Sequence, residues 1–234
     1  MITAEECQTY NKFIKKYQPH LYPLLGAHIS RLYERKGGVV IDMGTGPGYL
    51  TVELAERLKA NVHAVDINPA MHDLARRLVE ERGLSKSVHF DVIDVHNQIY
   101  PDNYADLVVS YSCLHHWENP VRALLECYRV LSPNGLLIII DTLPNNKDTL
   151  NALKRSIPEP EYFRFIREAF EESYSMSKIE EMIHEAGIVD FELNLFKFNE
   201  EDIADCIEVL EDLHIPEVEA EANTENWILT ACKK

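Results

Sequence analysis

The chain has 234 residues, 46% hydrophobic and 26% charged, which suits one domain with a sizeable core. Its 39 acidic side chains against 23 basic give a formal net charge of −16, and the basic residues are scattered, so neither a nucleic-acid backbone nor an anionic membrane surface finds a basic patch. No run approaches the roughly 18 apolar residues of a membrane span, Met1 to Lys16 lacks the pattern of a secretion signal, and five cysteines (Cys7, Cys113, Cys127, Cys206, Cys232) without metal-ligand spacing point to a reducing, cytoplasmic setting.

Residues 1–36 read as a helical cap. Tyr10, Phe13, Ile14 and Tyr17 recur at helical spacing. Pro19 and Pro23 break that pattern before a second helix through Leu24, Leu25, Ile29 and Leu32, and Gly37-Gly38 ends the region. From 37 to 142, short apolar runs alternate with helices. The spacing predicts strands at Val39–Ile41, Val62–Val65, Val88–Val92, Leu107–Val109 and Leu136–Ile140. It predicts helices at Leu50–Leu58, Pro69–Arg82 and Val121–Leu131, the last with Asn119 as N-cap and Pro120 at its first position, and a turn at Ser132–Gly135. Continuous apolar strands between amphipathic helices predict a parallel sheet covered on both faces, an α/β doubly wound fold.

The alternation stops after 142. Residues 143–176 are aromatic-rich and helical, and their place after the fifth strand suits either a lid over a substrate or a dimer contact. Residues 177–234 hold a helix (Ser177–Ala186) ending at Gly187, a strand (Phe191–Phe198), an acidic helix (Glu200–Leu213) read mainly as a solvated face, an acidic run from Glu217 to Glu225, and a final strand (Asn226–Cys232). The two late strands are expected to pair antiparallel at a sheet edge.

The chemistry concentrates where the first strand meets a glycine turn, Asp42-Met43-Gly44-Thr45-Gly46-Pro47-Gly48, with a helix directly after. Glycines let main chain approach a ligand, and the helix N-terminus faces the same place. A dinucleotide motif needs G-x-G-x-x-G, but here the spacing is G-x-G-x-G and Tyr49 takes the required glycine position. Asp42 repels a pyrophosphate and suits a ligand ammonium group. The second strand ends at Asp66, placed for ribose hydroxyls, and the third leads to Asp94 at the same edge.

Taken together, Asp42 to Gly48, Asp66, Asp94, Ala105–Ser110 and Tyr128–Gly135 resemble, in order and interval, the class I S-adenosylmethionine-dependent methyltransferases, most strongly over residues 37–142. Ser112-Cys113-Leu114-His115-His116-Trp117 is similar to the small-molecule branch that includes quinone-biosynthesis C-methyltransferases. The resemblance implies a Rossmann-like seven-stranded sheet, mostly parallel with the last strand antiparallel. It implies S-adenosylmethionine as cofactor, S-adenosylhomocysteine as product, and a small-molecule acceptor. It further implies Gly44, Gly46 and Gly48 around the methionyl part, Asp66 on the ribose, Asp94 with Val95 at the adenine, and Asp42, Thr45, Ile67, Met71 and Ser110 among the remaining cofactor-binding residues. Asn134-Gly135 replaces the usual glycine pair before strand five.

His115 and His116 follow the fourth strand, where imidazole suits a base. Orienting the loop, holding the cofactor's carboxylate or capping a neighbouring helix are the competing roles, and in an extended loop adjacent side chains point opposite ways, so at most one of the two is expected to face the substrate. Tyr10, Tyr17, Tyr111, Asp141, Tyr162 and Phe165 are candidate substrate contacts, with Phe13 and Tyr22 as further members of a lid. No metal is expected. The histidines are scattered, and Asp141 with Asn145 and Asn146 is the nearest approach to a ligand set. A protein or peptide acceptor, a non-catalytic binding subunit and a nicotinamide enzyme remain rivals, and the chain is expected as a monomer or homodimer.

Overall fold

A computed structural model describes residues 2–144, 147–213 and 226–234. The acidic run 217–225, His214, Asn145 and Asn146 lie outside these residues. Helix α1 (Ala4–Tyr17) opens on a capping box: the Thr3 hydroxyl accepts from the Glu6 N–H, and the Glu6 carboxylate accepts from the Thr3 N–H. Helix α2 (Leu21–Tyr33) includes Pro23, contrary to the expected break there. Proline is tolerated in a first turn, where its missing N–H has no intrahelical partner, so Pro19 alone stands between the helices.

The alternating segment then runs β1 (Val39–Met43), α3 (Tyr49–Leu58), β2 (Asn61–Asp66), α4 (Pro69–Glu81), β3 (Val88–Val92), β4 (Ala105–Tyr111), α5 (Pro120–Val130) and β5 (Leu131–Thr142). After it come α6 (Lys147–Ser156), α7 (Pro160–Glu172), α8 (Met176–Glu185), β6 (Phe191–Phe196), α9 (Glu200–Ala204), α10 (Ile207–Asp212) and β7 (Asn226–Cys232). The sheet order is β3-β2-β1-β4-β5-β7-β6, with β7 antiparallel to both neighbours. Chain direction of travel reverses between β1 and β4, the place where open α/β sheets bind ligands at the strands' carboxyl ends.

Alternate strand residues feed two cores. Val40, Val62, Leu107 and Ile138 pack with Leu25, Ile29, Leu54 and Leu58 on one face. Ile41, Val65, Val108 and Ile139 pack with Leu124, Cys127, Ile179 and Ile183 on the other. Each such fully buried aliphatic side chain stabilises the fold by roughly 1.5–3 kcal/mol.

Two boundaries differ from the sequence reading. Ser132–Gly135 belongs to β5 as an irregular start: Asn134 adopts a φ of 64°, its N–H reaches the Lys233 carbonyl, and the Lys233 N–H returns to Gly135. The acidic helix is two short helices, and it is not simply a solvated face. Asp202 is fully buried, paired with Arg31 and with His28 at 3.0 Å, while Ile203, Cys206 and Leu210 are buried.

Candidate functional site

The glycine turn is fastened to the sheet first. The N–H groups of Gly44 and Thr45 both donate to the Val65 carbonyl at 2.8 Å. Its three glycines serve different ends. A Cβ at Gly44 would lie 2.3 Å from Cys113 Sγ, and one at Gly48 2.8 Å from Ala75 Cβ. At Gly46 a Cβ would meet nothing within 4 Å. Gly44 and Gly48 therefore make room for protein, and Gly46 is the one that opens onto free space.

Asp42 sits under this turn, 1% exposed, and its Oδ2 accepts from the Thr51 hydroxyl at 2.5 Å, which in turn meets the Thr45 hydroxyl. Burial pushes the Asp42 pKa up to about 6. Asp66 forms the opposite lip. Its Oδ2 accepts from the Gly46 N–H at 2.9 Å and its Oδ1 from the Asn68 N–H at 2.8 Å, while burial raises its pKa. Ile67 is half-exposed, and Met71 is buried beside Cys7 and Leu74. Asp94 lies half-exposed and accepts from the main-chain N–H (2.9 Å) and ring (2.5 Å) of His96, bonds that hold its pKa below the usual range. Val95 is buried beneath it in the sheet-side core. The Ser110 hydroxyl donates to the Met43 carbonyl at 2.8 Å and ties β4 to β1.

Facing the turn is a wall of neutral aromatics. Tyr10 from α1, Tyr22 from α2 and Tyr111 at the end of β4 are gathered there, with the Tyr22 ring edge-on to Tyr111 at 5.9 Å. Burial pushes the Tyr10 pKa up to about 12 and raises those of Tyr22, Tyr111 and the Cys113 thiol still further, so none carries charge near neutrality. Asp141, 1% exposed near the end of β5, is the carboxyl group among them.

Ser112, with a φ of 50°, turns the chain after β4 into a 3-10 turn at Leu114–His116. That turn overrules the expectation of oppositely pointing histidines. The rings lie 4.0 Å apart, with Nε2 facing Nε2 at 3.1 Å. His115 Nδ1 meets Asp141 Oδ1 at 2.6 Å, and His116 Nδ1 meets Glu172 Oε2 at 2.6 Å. Four groups from three elements thus form one chain from a buried carboxylate to an exposed one.

Helices α1 and α7 lie across this edge as a joined roof. Tyr10 and Phe165 meet edge-to-face at 5.1 Å, and Phe13 contacts both Phe165 and Tyr162. Lys16 and the Tyr17 hydroxyl reach Glu159, at 2.5 and 2.6 Å, and Arg164 reaches Glu6 at 2.7 Å. Tyr17 and Tyr162 therefore fill the seam between the two helices, whereas Tyr10, Tyr111 and Asp141 stand together at the crevice. The Asn68 amide holds the Ile2 carbonyl at 2.8 Å, and the Tyr49 hydroxyl donates to Asn11 at 2.7 Å, which anchors α1 over the glycine turn. Sequence reading missed Thr51, Asn68 and Glu172. Asn68 carries a visible signal as the N-cap before Pro69, but Glu172 carries none, lying far along the chain from the histidine it meets.

Among the described residues no three His, Cys, Asp or Glu side chains are grouped to hold a metal ion, and no helix is long and apolar enough to cross a membrane.

Residues 41–139 match the Methyltransferase domain family. The ubiquinone/menaquinone biosynthesis C-methyltransferase UbiE of Vibrio vulnificus is 28% identical over 149 residues, covering 59% of this chain and 57% of that enzyme. The chain thus spans little more than half the length of this curated relative. Among solved structures, a candidate S-adenosyl-L-methionine-dependent methyltransferase from Methanococcus maripaludis superposes with a TM-score of 0.72 at 22% identity, over 99% of this chain and 94% of that one. Phosphoethanolamine N-methyltransferase 2 of Haemonchus contortus, solved with S-adenosyl-L-methionine, gives 0.65 at 16% identity, over 99% and 57%. The matched segment contains the glycine turn, Asp66, Asp94 and both histidines. Residues 41–139 thus match a methyltransferase domain, and the chain shares the fold of the S-adenosyl-L-methionine-dependent methyltransferases on which it superposes.

Proposed function

We propose that this chain transfers the methyl group of S-adenosylmethionine to a small-molecule acceptor. The observation that carries this reading is the roofed crevice itself. On one side Gly46 presents unobstructed main chain beside the Asp66 carboxylate. On the other stand Tyr10, Tyr111 and Asp141. Helices α1 and α7 lie over this edge of the sheet, a cover that suits a small acceptor better than a protein side chain.

The residues present fit the cofactor. Asp66 keeps carboxylate lone pairs for ribose hydroxyls, and Ile67, Asp94 and Val95 edge the adenine side. Thr45, Gly46 and the Asp42 charge serve the amino-acid tail, where an ammonium group offsets the burial of Asp42. A bound sulfonium supplies an electrophilic methyl group, so positioning by the chain contributes much of the acceleration. His115, oriented by Asp141, and His116 take the roles of base and proton carrier where the acceptor has a proton to lose. Five free cysteines suit a reducing cytoplasm.

Calorimetry with S-adenosylmethionine, S-adenosylhomocysteine and NAD tests the binding half. Micromolar affinity for the first two and none for NAD is expected. Labelled-methyl transfer into a metabolite extract tests the chemistry, and replacing both histidines is expected to lower its rate at least tenfold with cofactor affinity nearly unchanged. Binding of NAD instead, or no transfer to any extract component, overturns the proposal.

A further inference from the structure

From the Asp141–His115–His116–Glu172 chain we infer that Glu172 is a positioning residue that latches α7 over the crevice only while the chain holds one proton more than its four groups carry separately. The inference goes beyond methyl transfer and does not depend on it.

The argument is a count of hydrogens. Three contacts link the chain: 2.6 Å from Asp141 to His115, 3.1 Å between the two Nε2 atoms, and 2.6 Å from His116 to Glu172. Each joins two atoms that both bear lone pairs when unprotonated, so each contact needs one hydrogen between its partners. Three are required. Two neutral imidazoles bring one each, and two carboxylates bring none. The third comes from solution.

The inner contacts have first claim on the hydrogens available. Asp141 and His115 are 1% and 2% exposed, and Asp141 also accepts the His115 main-chain N–H at 3.1 Å and the Thr142 N–H at 2.7 Å, bonds that fix it as an acceptor. His115 then donates from Nδ1, and His116 donates from Nε2 to the remaining lone pair of His115. This leaves His116 Nδ1 with a lone pair against the Glu172 carboxylate. When the third proton is lost, that outer contact fails, because its side chains are 53% and 49% exposed and water replaces them.

The titratable groups facing His116 are His115 on the same turn, Asp141 from β5 and Glu172 from α7. Partial burial and the neighbouring His115 hold the pKa of His116 below its ordinary value, so the third proton is held loosely. Glu172 is the last residue of α7, and the other ion pairs of that helix to neighbouring elements run to α1 in the roof, from Arg164 to Glu6 and from Lys16 to the capping Glu159.

Glu172→Gln separates this latch from simple contact. A glutamine amide brings its own hydrogen to His116 Nδ1, so the variant latches with no extra proton, while Glu172→Ala has no latch. Hydrogen exchange of the α7 amides, corrected for the intrinsic pH dependence of exchange, is read from pH 6 to 9 on the full chain. Wild-type protection is expected to fall at least tenfold with rising pH, E172Q to keep the wild type's low-pH protection throughout, and E172A to stay at the wild type's high-pH level throughout. Nitrogen-15 imidazole spectra are expected to show His115 as the Nδ1–H form at every pH and the labile proton at His116. A flat wild-type profile, an E172Q profile that tracks wild type, an E172A profile equal to wild type, or an Nε2–H His115 overturns the inference. Calorimetry with S-adenosylmethionine judges the proposed function independently of all four.

Discussion

At the scale of single residues, the glycine turn shows how one motif divides its labour. Gly48 has a φ of 87° and lies against Ala75, whereas Gly46 has a φ of 52° and faces open space. Gly48→Ala forces a methyl group into α4 and a side chain into the left-handed region, at a cost of about 2–4 kcal/mol. Gly46→Ala meets no protein and costs about 1 kcal/mol of stability, but its methyl group enters the crevice and is expected to weaken S-adenosylmethionine binding at least tenfold. Thermal unfolding paired with calorimetry checks the contrast. Equal destabilisation of both variants, or unchanged affinity in G46A, contradicts the assignment. The sequence displays the spacing of these glycines plainly. It does not display which one faces a ligand, because that is decided by Cys113 and Ala75, side chains brought there by the fold. The same limit hid Glu172, while Asp42, Asp66 and Asp94 were legible because each stands where a strand ends.

Elements were legible in proportion to how local their causes are. The alternating strands and helices from 37 to 142 follow from apolar periodicity, caps and turn residues, and all are present. The irregular start of β5 was not legible, since it is held by main-chain bonds to Lys233 at the other end of the chain. The docking of α9 was hidden by composition: Glu200, Glu201 and Asp205 are acidic and exposed, yet Asp202 among them is the buried anchor. Burial pushes the Asp202 pKa up, but His28, the Asn199 N–H and Arg31 outweigh it and hold it below the usual range. Asp202→Ala removes an N-cap partner and leaves Arg31 and His28 short of a counter-charge, so a loss of about 2–4 kcal/mol is expected. Denaturant unfolding measures it, and a loss under about 0.5 kcal/mol, the range of ordinary surface changes, restores the reading of a solvated face.

For the whole molecule, stability against pH is shaped by a net charge of −16 and by buried acids, among which Asp42 beneath the glycine turn is the one raised to about 6. Self-repulsion of so many carboxylates weakens as pH falls, and Asp42 acts in the same direction. Its pKa in the folded chain is about 6, against an ordinary 3.8, so the folded state binds this proton more tightly than the unfolded chain does. Below pH 3.8 the group is protonated in both states and costs nothing. Between there and pH 6 the cost grows, and above pH 6 it is constant at about 3 kcal/mol, from roughly two pKa units at 1.4 kcal/mol each. Asp42→Asn keeps the shape and the acceptor for Thr51 while removing the charge. It is therefore expected to raise stability by about 1–3 kcal/mol at pH 7.5, with the gain shrinking toward zero at pH 4. The same variant loses the charge proposed to receive the cofactor's ammonium group, so affinity for S-adenosylmethionine is expected to fall as stability rises. Denaturant unfolding of both chains across this pH range, with calorimetry at pH 7.5, decides the point. A gain in stability independent of pH, or a stabilised variant that still binds S-adenosylmethionine as wild type does, shows that the buried carboxylate is not held there for the ligand.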